Sequence, residues 1–140
     1  MRFTLPAMVL SDEAVLTMLN AAQTEAAVMG QPQCIVIVDA SAVVLGSLRM
    51  ARARVLSYHS ASAKARTAAS TGNPSGALAE AVRVTIALAT DGGMTGLPGG
   101  LPIRIGGVLV GGIGIGSGSG AQDEAVARAA LAAIGADPVN

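Results

Sequence analysis

Apolar positions recur first at helical spacing: Val15, Met18, Leu19, Ala22 and Ala26 share one face until Gly30 and Pro32 end the pattern. Ser11 precedes this stretch as an N-cap, and Asp12 and Glu13 suit the positive end of a first turn, so a helix is predicted over residues 12–29. The run Cys34-Ile35-Val36-Ile37-Val38 is continuous, β-branched and too short for a helix, which predicts a central strand covered on both faces. Asp39-Ala40-Ser41-Ala42 turns the chain, and residues 43–50 supply the hairpin partner.

An Ala-rich stretch from Leu56 to Ser70, stopped by Thr71-Gly72-Asn73, predicts a second helix with Ser57 or Ser60 as its cap. Asn73-Pro74 reads as a cap followed by the first residue of a third helix reaching about Ala89. Residues 91–100 hold five glycines and a proline, too irregular for either periodicity, and read as a functional loop or lid. Two β-branched runs, Pro102 to Ile105 and Val108 to Ile115, flank Gly106-Gly107 and give the clearest hairpin signal. Alternation along the last strand puts Leu109, Ile113 and Ile115 on one face, with Val108, Val110, Gly112, Gly114 and Gly116 on the other. A strand face this poor in side chains implies a close neighbour: a helix, a subunit or a ligand. Ser119 and Gln122 fit a capping box that opens a fourth helix running to about Ile134.

The order is helix, strand pair, two helices, strand pair, helix. Without regular βαβ alternation, it predicts one α+β domain in which helices pack on an antiparallel sheet. Composition narrows this further. Of the 140 residues 51% are hydrophobic but only 1% aromatic, so the core is built from Ala, Val, Ile, Leu and Met. Nine basic residues balance nine acidic ones, leaving neither the electrostatic footprint nor the stacking platforms of a nucleic-acid binder. Mean hydropathy is high, at +0.57, yet a charged or polar residue interrupts every apolar stretch before the roughly 18 residues of a membrane span. The first ten residues lack the pattern of a signal peptide, so the expected location is the cytoplasm. The single cysteine, Cys34, lies inside an apolar strand and reads as a buried, inert thiol.

Two stretches together carry a family pattern. The first is Val38-Asp39-Ala40, Arg49-Met50, Lys64-Ala65 and Thr67-Ala68. The second is Gly99-Gly100-Leu101-Pro102-Ile103, Gly107, Val110-Gly111-Gly112-Ile113-Gly114-Ile115, Gln122-Asp123-Glu124 and Ala127. In order and spacing the chain resembles the GlcG/HbpS family, which includes the C-terminal domain of PduO-type proteins, over about residues 12–136. The resemblance implies a profilin-like fold with an antiparallel sheet between helices, assembly into homo-oligomers, and in several relatives binding of heme or association with corrinoid chemistry. The chain departs from the pattern at Ala51-Arg52, where the family usually carries Asp-Gly, and at Ser41, where it has a turn glycine.

Several residues are candidates for chemistry. His59 is the only histidine, so an axial heme ligand, a metal ligand or an imidazole base must be this residue; the alternative is a surface histidine. Lys64, the only lysine, can anchor a carboxylate or propionate, form a Schiff base if its pKa is lowered, or form a salt bridge with Asp123 or Glu124. Arg49, Arg52, Arg54 and Arg104 are placed to gather at one end of the sheet, either around an anionic ligand or as a solvated rim. Gly99 and Gly100 belong to the loop expected to face the ligand. Asp39 and Asp123 are candidate acids or bases, although Asp39 also suits turn initiation and Asp123 a helix N-terminus. The segment from Gly116 to Ala121 matches a dinucleotide fingerprint only in form, because the parallel crossover strand and later acidic residue of a Rossmann unit are missing.

Three readings follow. In the first, the chain is an oligomeric module binding heme or another small anionic molecule between the glycine strand, the loop 91–100 and helix 2, with His59, Lys64, Arg49, Arg104, Gly99 and Gly100 around it. In the second, it is a cofactor-independent isomerase, lyase or cyclase using His59, Lys64, Asp39 or Asp123 on a carboxylate-bearing substrate. In the third, the glycine face and Ala-rich helices serve assembly alone.

Overall fold

The computed structural model describes residues 1–140. Its elements are α1 (Asp12–Val28), β1 (Cys34–Asp39), β2 (Val44–Arg49), α2 (Ser57–Thr71), α3 (Arg83–Ala89), β3 (Gly100–Ile105), β4 (Val108–Gly116) and α4 (Gly120–Ala133). The four strands form one antiparallel sheet in the order β2-β1-β4-β3, so the fold is α+β as the element order predicts. No helix is long and apolar enough to cross a membrane.

Two cores lie on opposite faces of this sheet. On one side α1 (Val15, Met18, Ala22, Ala26) and α4 (Val126, Ala127, Ala130, Leu131) cover Ile35, Ile37, Leu101, Ile103, Ile113 and Ile115. On the other, α2 lays Ala61, Ala65 and Ala69 on Cys34, Val36 and Val38. Both faces of β1 are thus buried, which explains its unbroken apolar run.

The glycine face of β4 receives a helix. A Cβ on Gly112 would strike the backbone of Ala65 and Ala69, one on Gly114 that of Ala61 and Ala65, and one on Gly116 the carbonyl of Ser57. The spacing explains why this seam is continuous. Two residues of strand advance about 6.6 Å and four residues of helix about 6 Å, so a glycine at every second strand position meets Ser57, Ala61 and Ala65 at every fourth helix position. Ordinary side chains on both surfaces would hold helix and sheet farther apart.

The α1 and α4 N-caps are those expected: Ser11 accepts from the Ala14 amide, and Ser119 and Gln122 complete the capping box. The Gly106-Gly107 turn forms, with both glycines at positive φ. Three expectations need correction. Neither Ser57 nor Ser60 caps α2; Leu56 occupies that position with no side-chain bond. The predicted helix from Pro74 breaks into two 3-10 turns, Ser75–Ala77 and Glu80–Val82, before the short α3. Leu78 and Ala79 are extended, and the Ser75 hydroxyl bridges Leu97 O and the Gly100 amide, so tertiary bonds across the loop outweigh local helix propensity. Finally, a bulge at Val110 shifts the β3–β4 register: Val110 joins the α1/α4 core with Ile113 and Ile115, and Leu109 turns toward Gly72 at the end of α2.

The glycine seam predicts a sharp contrast. Gly114→Ala drives a Cβ into helix backbone that has no rotamer to escape with, and is expected to cost about 3 kcal/mol or more. Gly30→Ala, at positive φ but with open space around it, should cost only about 1 kcal/mol. Urea unfolding midpoints of the two variants check the difference.

Candidate functional site

The close docking of α2 carries Lys64 inside. Its ammonium donates to Ile115 O at 2.7 Å and to Asp123 Oδ2 at 2.9 Å, with Lys64 and Asp123 only 5% and 2% exposed. The second carboxylate oxygen, Oδ1, accepts from the Gly118 amide at 3.1 Å. Two charges removed from water are therefore matched by each other and by backbone dipoles from β4 and the entry to α4. This is the salt bridge that the sequence offers as the alternative to ligand anchoring. Gly99 and Gly100 complete the enclosure: a Cβ on Gly99 would approach Asp123, Ile115 O and the Lys64 ammonium, and one on Gly100 would strike Lys64 O. The two glycines therefore close the loop over the ion pair.

Beside the pair lies a polar cleft of about 210 Å³ whose walls include Arg54, Ser57, Ser60, Lys64, Gly118 and Asp123. A larger, open groove of about 510 Å³ runs between α3 and the following loop, walled by Val84, Ala87, Leu88, Met94 and Leu97, with Arg83 at its edge. The space between the glycine strand and α2, expected to hold a ligand, is filled by α2 itself.

The remaining candidates scatter. His59 is exposed on α2 and lines neither the cleft nor the groove. Asp39 accepts from the amides of Ser41 and Val43, as a turn-initiating residue does. It pairs with Gly111 while Ile35 pairs with Ile115, so Asp39 stands four strand residues, roughly 13 Å, from the Lys64 end of the sheet. The acid/base set His59, Lys64, Asp39 and Asp123 is thus not assembled; only Lys64 and Asp123 meet. Nor do the four arginines gather. Arg49 pairs with Cys34 at the Gly116 end, whereas Arg104 lies near the Gly106-Gly107 turn and donates to Gly72 O at 2.8 Å, closing the C-terminus of α2. No group of three or more His, Cys, Asp and Glu residues converges on a metal-binding geometry. Cys34 is buried as expected; burial pushes its thiol above the ordinary range, and Arg49 pulls back less strongly.

Sequence reasoning missed two groups. Arg83 gave no signal, and Met94 lies in the loop 91–100 without standing out, because the groove they border is created by the broken helix before α3. Gln33 stands out in no sequence pattern, yet it is fully buried and neither end of its amide has a partner.

A family model described as "Haem degrading protein HbpS-like" matches residues 10–132. This chain belongs to the HbpS-like family. Among solved structures, HbpS of Streptomyces reticuli, as a double mutant, is 35% identical with a TM-score of 0.82, over 92% of this chain and 89% of the other. A crystallised PduOC–heme complex is 28% identical with a TM-score of 0.87, over 95% of this chain and all of the other. Klebsiella pneumoniae ORFY, at 23% identity, shares the fold with a TM-score of 0.91 over 99% of both chains. No curated protein matches. The family match and the fold bear out the resemblance carried by the two quoted stretches.

Two outcomes follow for this HbpS-like chain. Lys64→Met leaves the Asp123 carboxylate buried without its counter-charge and is expected to cost about 3–5 kcal/mol, whereas Lys64→Met combined with Asp123→Leu should cost less than Lys64→Met alone. Urea melts of the three proteins test the coupling. For Cys34, the folded thiol holds its proton more tightly than the unfolded one. Its contribution to stability is therefore fully present at neutral pH and declines above about pH 8.5, where the unfolded thiol ionises. Cys34→Ala should flatten that alkaline slope in urea midpoints measured against pH.

Proposed function

We propose that the chain is a small-ligand-binding module and that its ligand is heme, or another flat apolar molecule carrying acid groups. The observation that carries this reading is the groove along α3. Val84 and Leu88 are 75% and 78% exposed, so these apolar side chains gain almost nothing from folding. The groove volume of about 510 Å³ falls within the range of roughly 300–1,000 Å³ typical of small-molecule sites. Arg83 uses Nε and Nη2 on Leu78 O and Gly76 O, which fixes the guanidinium and leaves Nη1 for an acid group. The Met94 thioether is the soft donor in the wall, of a type able to ligate heme iron. Bound heme would supply the iron centre, while the chain's own contribution is an apolar slot, a fixed cation and one sulfur.

Membership of a family described as heme-degrading, and likeness to a protein crystallised with heme, support the same choice of ligand. The polar cleft, at about 210 Å³, is too small to enclose such a molecule. Exposed apolar residues elsewhere, among them Phe3, Leu5 and Val9 near the N-terminus and Leu45 on the edge strand, support assembly into a homo-oligomer.

Heme titration of the purified protein, followed at the Soret band with light scattering on the same samples, tests both parts. The expected result is a saturable shift that Leu88→Asp weakens at least about tenfold, by placing a charge in the apolar slot. His59→Ala should leave binding in place, because the imidazole stands outside the groove. Loss of the shift in His59→Ala, with Leu88→Asp unaffected, would overturn the groove and move the site to the outer face of α2. A monomer under all conditions would overturn the oligomer.

A further inference from the structure

The polar cleft has features that the ion pair alone does not require. Ser57 and Ser60 belong to the first turn of α2, and Gly118 and Gly120 to the entry of α4, so the N-termini of a 15-residue and a 14-residue helix converge on one small space. Each brings partial positive charge, while the amides of Ser57, Ser60, Gly118, Ser119 and Gln122 are already bonded within the protein. The α2 end has neither a side-chain cap nor an acidic residue in its first turn, so no anionic side chain of its own offsets that field. Three side chains add donors. The Arg54 guanidinium makes no bond within the protein and is exposed at the cleft wall. Lys64 spends two of its three N–H groups on Ile115 O and Asp123, and the third remains. The Ser57 hydroxyl is likewise unused. Asp123 is the opposing charge, with one oxygen on Lys64 and the other on the Gly118 amide, so Arg54 and Lys64 leave the cleft with a net positive charge.

A second, independent observation lies behind the wall. Gln33 is fully buried with its side-chain nitrogen and oxygen both unpartnered. Its Nε2 lies against Gly118, where a Cβ would stand 2.7 Å from that nitrogen and 2.8 Å from Asp123 Oδ1. Leaving a buried amide unsatisfied costs about 1–3 kcal/mol, which a ligand oxygen or an ordered water at this wall would recover. The amide lies behind Gly118, outside the cleft lining itself.

We propose that this cleft binds a small oxyanion, a carboxylate or a phosphate group, held by Arg54, the third N–H of Lys64 and the Ser57 hydroxyl in the positive field of the two helix ends. A volume of about 210 Å³ corresponds to roughly seven waters, enough for a free anion of that size or for the acid end of a longer molecule. This site is distinct from the α3 groove and does not rest on heme binding there.

The test is an NMR titration of the isotope-labelled full chain with inorganic phosphate and, separately, with acetate. Saturating shifts are expected at the amides of Ser57, Ser60, Gly118 and Gly120. Arg54→Ala, at an exposed position, should weaken the apparent affinity about tenfold, consistent with loss of a charge-assisted bond. Arg52→Ala, an exposed arginine outside the cleft, should leave it unchanged. Gln33→Leu removes no partnered side-chain polar atom and should fold at least as stably while also weakening the anion. Stronger binding of either anion supports the site and identifies the preferred group. Shifts that fail to saturate, that spread evenly over the basic surface, or that persist unchanged in both Arg54→Ala and Gln33→Leu would overturn it.

Discussion

The distance between α2 and β4 is the constraint from which most of this structure follows. A helix resting on a sheet normally stands off by the thickness of two layers of side chains. Here the sheet contributes glycines at 112, 114 and 116, and the helix contributes Ser57, Ala61 and Ala65, so backbone meets backbone. The near match between two strand residues and one helical turn lets the arrangement persist along three successive contacts. It also accounts for the composition: a chain with a single Phe and a single Tyr compensates for missing bulk by bringing its elements closer together.

The ion pair is a consequence of that approach. Lys64 sits one residue before Ala65 in the packed row, and once α2 descends onto the sheet its ammonium is withdrawn from bulk water except at the polar cleft. Asp123 and Ile115 O supply the partners, one from α4 and the other from β4. One pair therefore ties α2, on one face of the sheet, to α4, on the other, around the end of β4. An apolar pair of similar volume would be no less stable by the usual balance of desolvation against attraction. What the charged pair adds is direction: it fixes the N-terminus of α4 against α2 and leaves a polar cleft between them.

Much of the scaffold was legible because its signals are local. Ser11, the Ser119/Gln122 box, the β1 run and the diglycine turn each act within a few residues, and each forms as the pattern predicts. The glycine alternation in β4 also revealed a close neighbour, though not that the neighbour is α2, because that depends on contacts more than forty residues apart in the chain. Misreadings arose where distant contacts decide. Asn73-Pro74 has the local chemistry of a helix start, but Ser75 is drawn to Leu97 and Gly100, and the helix gives way. Arg49 and Arg104 look alike in the sequence and lie at opposite ends of the sheet, since position along antiparallel strands depends on register rather than on neighbouring residues. Lys64 and Asp123 were both recognised as candidates, and so was their salt bridge; the cleft beside them requires three dimensions.

The two cavities differ in the rigidity of their walls. The cleft is bounded mainly by α2, α4 and the turn at Ser117 and Gly118, locked by the glycine seam, the ion pair and a complete capping box, with Leu97 and Pro98 of the loop on one side. The groove is bounded by α3, a seven-residue helix with no buried residue, and by a loop rich in glycine. Few apolar contacts hold α3 down, so it belongs to the part of the fold that opens at low free-energy cost. A small anion has few atoms with which to choose its geometry, and needs donors already fixed in place. A large apolar molecule contributes its own buried surface and can organise a loose wall as it binds. Leu97 borders both spaces, so the stiff cleft and the adaptable groove meet at one side chain.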